Sequence, residues 1–563
     1  MKPTRGLPPA PIVFPGDEPF WEATRRGELL AKRCTACDAL HYYPRMHCPF
    51  CGSDKTAWHK LSGEGRIHSY SIVARSPRPM APAIVETPEG LRIHTVIVDA
   101  DVQSLRIDDP VTLRFVNTQD GPPAPAFTTL AAEQARAYTK AARAALGPAG
   151  ADDATRFQRA AVIGGGNMGV GIALALLAAG LPVQLVDNAA EAAASARQRI
   201  ADGLQQDLTR GRITAEQVAE RLTRLNVGTD MAAVAEADVV IEAVWEDLAL
   251  KREIFAQLDQ HARPGVILAT NTSTLDVGQI AAATQRPEAV VGLHFFNPAH
   301  IMKLLEVVRA PATSAATLDG ARAVARLIGK VPVVVGICDG FVGNRLMITR
   351  ERQAARLLLE GALPEQIDRV LRGVGLPMGT FELQDMAGGI ELTYRARQRD
   401  GRKDWLIEQL HARGRTGLRA GRGYYRYEPG KRRPLVDPEV TALIEEASRV
   451  EGISRRAISD AEIHDRLILP MINEGAKLVM EGMVDRASDI DLVWHLGYGW
   501  PDWKGGPMYY ADQLGLAHVV QRLDALHAEH GEVFRPAQLL RELAPTATRI
   551  SSCTPSLKPA PAR

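Results

Sequence analysis

Ala160-Ala-Val-Ile-Gly-Gly-Gly-Asn-Met-Gly169 is the stretch on which the fold turns. An apolar strand, Ala160 to Ile163, runs into Gly164-x-Gly166-x-x-Gly169, and Val170 to Ala179 has helical character. Leu185-Val-Asp187 then ends a second apolar strand, 18 residues after Gly169. Strand, glycine turn, helix and strand, closed by an acidic residue, form the context in which this spacing binds a dinucleotide. Gly164 permits the tight turn, Gly166 lets backbone approach a pyrophosphate, and Gly169 lets the helix pack on the strand. The candidate cofactor loop is therefore Gly164, Gly166, Asn167, Met168 and Gly169. Asp187 is placed to accept hydrogen bonds from ribose hydroxyls, and Asn188-Ala-Ala supplies no adjacent cation for a 2′-phosphate. That predicts NAD rather than NADP.

Ala161 to Val186 is long and apolar enough to raise a membrane span, but six glycines and Pro182 punctuate it as strand, turn, helix and strand. From Ala160 to about Gly336 apolar strands alternate with helices, the habit of a doubly wound parallel sheet. Before it, residues 1–130 hold short alternating runs such as Arg66 to Val73 and Leu91 to Val98, which predict a small β-domain. Leu130 to about Gly150 is Ala-rich and helical in character, ending in the linker-like Gly147 to Asp153. After Gly336 helical periodicity dominates, and a repeat shows in it. Leu357-Leu-Leu-Glu-Gly361 recurs as Leu478-Val-Met-Glu-Gly482, Ile367-Asp368 as Ile490-Asp491, and Gly375-Leu-Pro377 as Gly499-Trp-Pro501. Three matches in order make a duplicated helical unit.

The chain has 563 residues, and its 67 basic and 66 acidic side chains leave a formal net charge of +1. That balance creates no global field for nucleic acid or an anionic membrane, so neither is an expected partner. The first twenty residues lack an apolar stretch of signal-peptide length, and six cysteines are too few for a secreted disulfide framework. A cytoplasmic location is expected.

Four of those cysteines are Cys34, Cys37, Cys48 and Cys51. Two CxxC knuckles this close can place four thiolates around one zinc ion, and such a closed set leaves no position for catalysis. The zinc is expected to be structural. Together with Phe20 to Leu30, Tyr43-Pro-Arg and Gly63-Glu-Gly-Arg-Ile-His-Ser-Tyr70, the knuckles resemble the rubredoxin-like zinc ribbon plus OB-fold proteins that accompany thiolases and other acyl-CoA enzymes. The resemblance covers residues 18–128 and implies that this region docks a thiolase or similar enzyme.

Val290-Val-Gly-Leu-His-Phe-Phe-Asn-Pro298 places His294 on an apolar strand, with Glu306 twelve residues on. A strand turning at Asn297-Pro298 and returning could set that carboxylate beside the imidazole, giving a base with an orienting partner. Ile241 to Lys251, Ala269-Thr-Asn-Thr-Ser-Thr-Leu275, Gly292 to Pro298 and Asp339-Gly-Phe-Val-Gly-Asn-Arg345 resemble, in order and spacing, the (S)-3-hydroxyacyl-CoA dehydrogenases. The resemblance covers residues 157–545 and extends to the dehydrogenase half of the multifunctional β-oxidation enzymes. It implies His294 as general base, Glu306 as its partner, and Ser273 and Asn344 as groups polarising the substrate. It also sets Glu246, Lys251 and Asn271 along the cofactor side, and acyl-CoA as substrate.

The expected architecture is multidomain. Residues 1–57 form an N-terminal helix and zinc ribbon, 58–130 an OB-type β-barrel, and 131–156 a linker. Residues 157–336 form a Rossmann-type α/β domain, 337–432 and 433–545 two tandem all-α dehydrogenase domains, and 546–563 a disordered tail. Two other readings stay open: a scaffold that only binds CoA ligands for a thiolase, and a dehydrogenase of a non-CoA hydroxy acid. An intact His294/Glu306 pair argues against the first; Lys251 and the duplicated helices argue against the second.

Overall fold

A computed structural model describes residues 8–73, 80–147, 156–399, 401 and 403–555. The chain folds as two compact units, one holding the residues up to Tyr138 and the other most of the remainder.

In the first unit a short helix, Glu18–Arg25, precedes a three-stranded antiparallel ribbon of β1 (Leu30–Cys34), β2 (Leu40–His41) and β3 (Thr56–Lys60), ordered β2-β1-β3. Strands β4 (Glu64–Tyr70), β5 (Ala81–Glu86), β6 (Arg92–Ile97), β7 (Pro110–Val116) and β8 (Ala124–Thr129) close into a barrel in the order β4-β5-β6-β8-β7. Alternation explains it: β5 buries Ala81, Ala83 and Val85 and exposes Pro82 and Glu86. Ile67, Val85, Ile93, Val111 and Phe127 fill the core, joined by Phe20 and Trp21 of the first helix.

In the second unit eight strands form one sheet: β9 (Ala160–Ile163), β10 (Val183–Val186), β11 (Leu225–Gly228), β12 (Val239–Glu242), β13 (Ile267–Thr270), β14 (Val290–Phe295), β15 (Leu304–Arg309) and β16 (Val331–Gly336). Their order is β11-β10-β9-β12-β13-β14-β15-β16, parallel except for the antiparallel pair β14/β15. Strands β9, β12, β13, β14 and β16 are buried at every position, as expected of strands covered on both faces. The order reverses at β9, between β10 and β12, and such a switch point opens a crevice at the carboxyl ends of the strands. The stretch raised as a membrane span is here strand, helix (Asn167–Ala178) and strand, and no helix among the described residues is long and apolar enough to cross a membrane.

Beyond β16 the duplication is visible in the hydrogen bonds. The long helices Phe341–Glu360 and Asp460–Met480 pack on one another. Asp368 accepts the backbone N–H groups of Phe381 (3.0 Å) and Glu382 (2.9 Å) at the start of the Thr380–Ala387 helix. Asp491 does the same for Met508 (2.7 Å) and Tyr509 (3.1 Å) at the start of Pro507–Leu514. A second pair repeats the device: Asp385 takes Tyr424 and Tyr425, and Asp512 takes Ile550 and Ser551. Each carboxylate satisfies orphan donors that would otherwise be buried unpaired.

This corrects the expected tail. Ile550–Ser552 is a 3₁₀ turn with Ile550 fully buried, so residues 546–555 belong to the second helical copy, whereas 556–563 lie outside the described residues. Most of the expected linker is the helix Leu130–Ala144, and its stretch 148–155 lies outside the described residues. Between β16 and the second copy, the Gly336 N–H donates to the Met483 carbonyl at 2.8 Å and Val335 forms an antiparallel bridge with Val484.

Candidate active site and zinc ribbon

The glycine turn leaves β9 with Gly164 at φ +101°, a left-handed conformation that glycine adopts without penalty. A Cβ on Gly169 would lie 1.9 Å from the Gly164 carbonyl oxygen, so only glycine lets the helix approach the turn. Gly166 has open space where its Cβ would stand, and it caps the Asn167–Ala178 helix without a side-chain acceptor. A positive helix end beside open space fits a pyrophosphate. Asp187, at the end of β10, accepts the Gly165 N–H at 2.6 Å through Oδ2.

One neighbour was missed. Arg199, on the Ala190–Thr209 helix, donates to the Gly165 carbonyl and lies 3.2 Å from Asn167 Oδ1. It stands twelve residues from Asp187, too distant in sequence for a local reading of charge to include it. Its guanidinium is occupied by the loop, so Asp187 still meets any 2′-phosphate as a like charge. Such juxtapositions cost several kcal/mol, and NADH is expected to be preferred over NADPH by roughly a hundredfold in kcat/KM. Equal use of NADH and NADPH would overturn this assignment of Asp187.

His294 and Glu306 are direct cross-strand partners in β14 and β15. Nδ1 of the imidazole lies 2.7 Å from Oε2 of the carboxylate. Glu306 is fully buried, and its other oxygen accepts the Gly343 N–H at 3.0 Å. With Nδ1 engaged, the imidazole tautomer is set and Nε2 is left as a proton acceptor. Asn344 follows Gly343 at the start of the Phe341–Glu360 helix, so one helix end touches both the couple and the expected polarising amide. Its Oδ1 accepts the Tyr498 hydroxyl at 2.7 Å. In the second copy Asp465 occupies the place of Asn344 and is held by Arg522 (2.8 Å) and His464 (3.2 Å).

Ser273 lies in the loop after β13, the strand beside β14, and Glu246 braces that loop. Glu246 Oε1 accepts the Thr272 hydroxyl and the Ser273 N–H, both at 2.7 Å, and the Thr274 N–H at 3.1 Å. Asn271 Oδ1 accepts the Phe295 N–H at 2.9 Å, tying the ends of β13 and β14 together. Lys251 requires a correction. Expected along the cofactor side, it has no exposed surface; its Nζ lies 2.6 Å from Glu242 Oε1 and 3.6 Å from Glu246 Oε2. A charge already spent on two carboxylates is not presented to a ligand, so Lys251 no longer argues for CoA.

In the ribbon the four thiolate positions converge, all Sγ atoms lying within 4.8 Å of one another. Cys34–Cys51 and Cys37–Cys48 are each 3.6 Å apart. Zinc–sulfur bonds near 2.3 Å place tetrahedral corners about 3.8 Å apart, so this set fits one zinc ion. The Phe50 N–H points at Cys48 Sγ (3.4 Å), as suits a thiolate.

The switch-point crevice, the glycine turn and the imidazole–carboxylate couple define a dinucleotide-dependent oxidoreductase of the Rossmann class. Comparison narrows this: the chain belongs to the 3-hydroxyacyl-CoA dehydrogenase family. The NAD-binding domain of that family matches residues 159–338, and its C-terminal domain matches twice, at 340–427 and 463–549. Residues 21–57 and 58–116 match the rubredoxin-like zinc ribbon and C-terminal OB-fold domains of ChsH2. A peroxisomal bifunctional enzyme of Danio rerio is 38% identical over 408 residues, covering 69% of this chain and 56% of that protein. A peroxisomal fatty acid beta-oxidation multifunctional protein of Arabidopsis thaliana is 36% identical over 405 residues, 70% of this chain and 56% of its own. The chain thus spans a little over half the length of the curated relatives it matches. Among solved structures, 3-hydroxybutyryl-CoA dehydrogenase from Escherichia coli superposes with a TM-score of 0.59 at 30% identity, covering 69% of this chain and 98% of that one. The dehydrogenase part of multifunctional enzyme 1 from C. elegans gives 0.53 at 29%, covering 69% and 89%.

Proposed function

We propose that the protein oxidises (S)-3-hydroxyacyl-CoA to 3-ketoacyl-CoA with NAD, in a β-oxidation-type degradation of fatty or aromatic acyl groups. The observation that carries this reading is the 2.7 Å contact between His294 Nδ1 and Glu306 Oε2, inside a domain matched to the family. Held by the glycine turn and Asp187, NAD would supply the acceptor for the hydride from C3 of the substrate. His294 Nε2 takes the 3-hydroxyl proton, and Glu306 stabilises the imidazolium that forms. Ser273 and Asn344 donate hydrogen bonds to the oxygen as its charge changes. Glu246, anchored by Lys251 from beneath, keeps the Ser273 loop in place. Gly164, Gly166, Asn167, Met168, Gly169 and Asp187 hold the cofactor, and one active site per chain follows from Asp465 replacing Asn344 in the second copy. NADH oxidation driven by acetoacetyl-CoA tests the reading; absence of turnover overturns it.

The N-terminal unit serves partnership on this reading. Its four thiolates are directed at one metal, and no residue assigned to chemistry lies in it. Its surface carries large exposed apolar side chains: Ile12 is 74% exposed, Phe14 59%, Met46 66% and Phe50 70%. Such side chains suit a protein interface. A thiolase or similar acyl-CoA enzyme, which consumes the 3-ketoacyl product, is the partner proposed; tethering raises its local substrate concentration. Four thiolates kept for zinc suit a reducing compartment, and we place the protein in the cytoplasm. A shortened chain beginning at Ala154 is expected to fold, bind NAD and turn over at near wild-type rate, while losing co-purification with the thiolase. A folded but inactive shortened chain would make the N-terminal unit part of the acyl-CoA site and end the docking assignment.

A further inference from the structure

We propose that Tyr498, contributed by the second helical copy, is the positioning residue for Asn344. The inference rests on the dehydrogenase reading above. Tyr498 ends the Ala487–Tyr498 helix, and its hydroxyl donates to Asn344 Oδ1 at 2.7 Å. An amide whose oxygen is held in this way has one orientation, with its N–H₂ group turned to the other side. That is the donor Asn344 needs toward the substrate oxygen.

The phenol ring is itself packed against aromatic neighbours. Its ring stacks on Trp494, centroids 4.4 Å apart at 19°, and meets Phe296 edge-on at 5.6 Å. Phe296 in turn lies 4.7 Å from the His294 ring, so the cage continues into the base. Two glycines admit this packing. A Cβ on Gly343 would stand 2.7 Å from the Tyr498 hydroxyl oxygen, and one on Gly497 would stand 2.7 Å from Leu304 Cδ2. Gly343 also gives its N–H to Glu306, so the phenol, the amide and the catalytic carboxylate meet around one residue. Burial, with the Glu306 and Glu351 carboxylates nearby, holds the hydroxyl well above its ordinary pKa. The hydroxyl therefore stays protonated, and a donor. The sequence repeat alone makes the second copy look dispensable to chemistry; this contact makes the site incomplete without it.

The test is a double-mutant cycle in the full chain, read as acetoacetyl-CoA-dependent NADH oxidation. Tyr498→Phe keeps the ring and removes the hydroxyl; kcat should fall about tenfold with the KM for NADH unchanged. Asn344→Ala should fall by roughly 10²–10³. Tyr498→Phe added to Asn344→Ala should cost nothing more, because the hydroxyl has no amide left to orient. Thermal unfolding of each variant reports on folding. Asn344→Asp provides an arm that does not depend on altering Tyr498: it keeps an acceptor for the phenol but has no amide donor, so it should fall as far as Asn344→Ala. Unchanged kcat in Tyr498→Phe, additive losses in the double variant, or an active Asn344→Asp would each overturn the positioning role while leaving the dehydrogenase reading intact. A wild-type chain without turnover would overturn both.

Discussion

Replacing His294 by glutamine is expected to lower kcat by roughly 10²–10⁴-fold while NAD affinity stays at the wild-type level. The substitution keeps a polar group of similar reach but nothing that can take a proton. Glu306 keeps the Gly343 N–H on one oxygen, so the strand pairing of β14 and β15 should survive. The glycine turn lies at the end of β9, separated from β14 by β12 and β13, which is why cofactor binding and proton transfer should come apart in this variant. Steady-state reduction of acetoacetyl-CoA, with NADH binding followed by fluorescence titration, checks both halves. Retention of more than about a tenth of the rate would contradict a general base at this position.

The second large effect concerns the metal. Elemental analysis should find one zinc per chain, and its removal should unfold the ribbon. The three ribbon strands bury little: β3 has no fully buried residue and β2 is two residues long. A core this thin does not offset the entropy of ordering its chain, and structural zinc commonly supplies about 10 kcal/mol or more to such folds. Cys34→Ser breaks the tetrahedral set at a fully buried ligand, so proteolysis of the N-terminal unit should accelerate sharply while NADH oxidation by the rest persists. A protein without zinc, or a Cys34→Ser variant with an unchanged N-terminal unit, would show the cysteines to be structural in some other way.

The glycine turn and the His294 strand were legible because their physics is local. A strand buried on both faces reads as an unbroken apolar run, and the turn needs glycine where a Cβ would strike backbone. The return of Glu306 could also be read, since a twelve-residue spacing around Asn297-Pro298 suits adjacent antiparallel strands. Lys251 could not. Whether a lysine reaches a ligand or spends its charge below the surface depends on Glu242, a strand away, and no periodicity encodes that choice. Arg199 and Tyr498 were invisible for a related reason. Each acts from a helix far along the chain, 34 and 154 residues from its partner. The end of the second copy was misread because Ser551 to Pro555 has the composition of a tail, while the half-buried Asp512 that anchors it offers no signal in sequence.

The bridge between Val335 and Val484 bears on how this sheet avoids meeting another of its kind. Strand β16 is the last of eight, and an outermost strand presents unpaired N–H and carbonyl groups to any chain able to extend it. Here a turn from the second helical copy lies along the end of that strand, taking Val335 and the Gly336 N–H. The helical duplicate, which has no nucleotide fold of its own, therefore works as a guard rail on the open side of the sheet. Losing it would bare the backbone groups of Val335 and Gly336 and at the same time take Tyr498 away from Asn344.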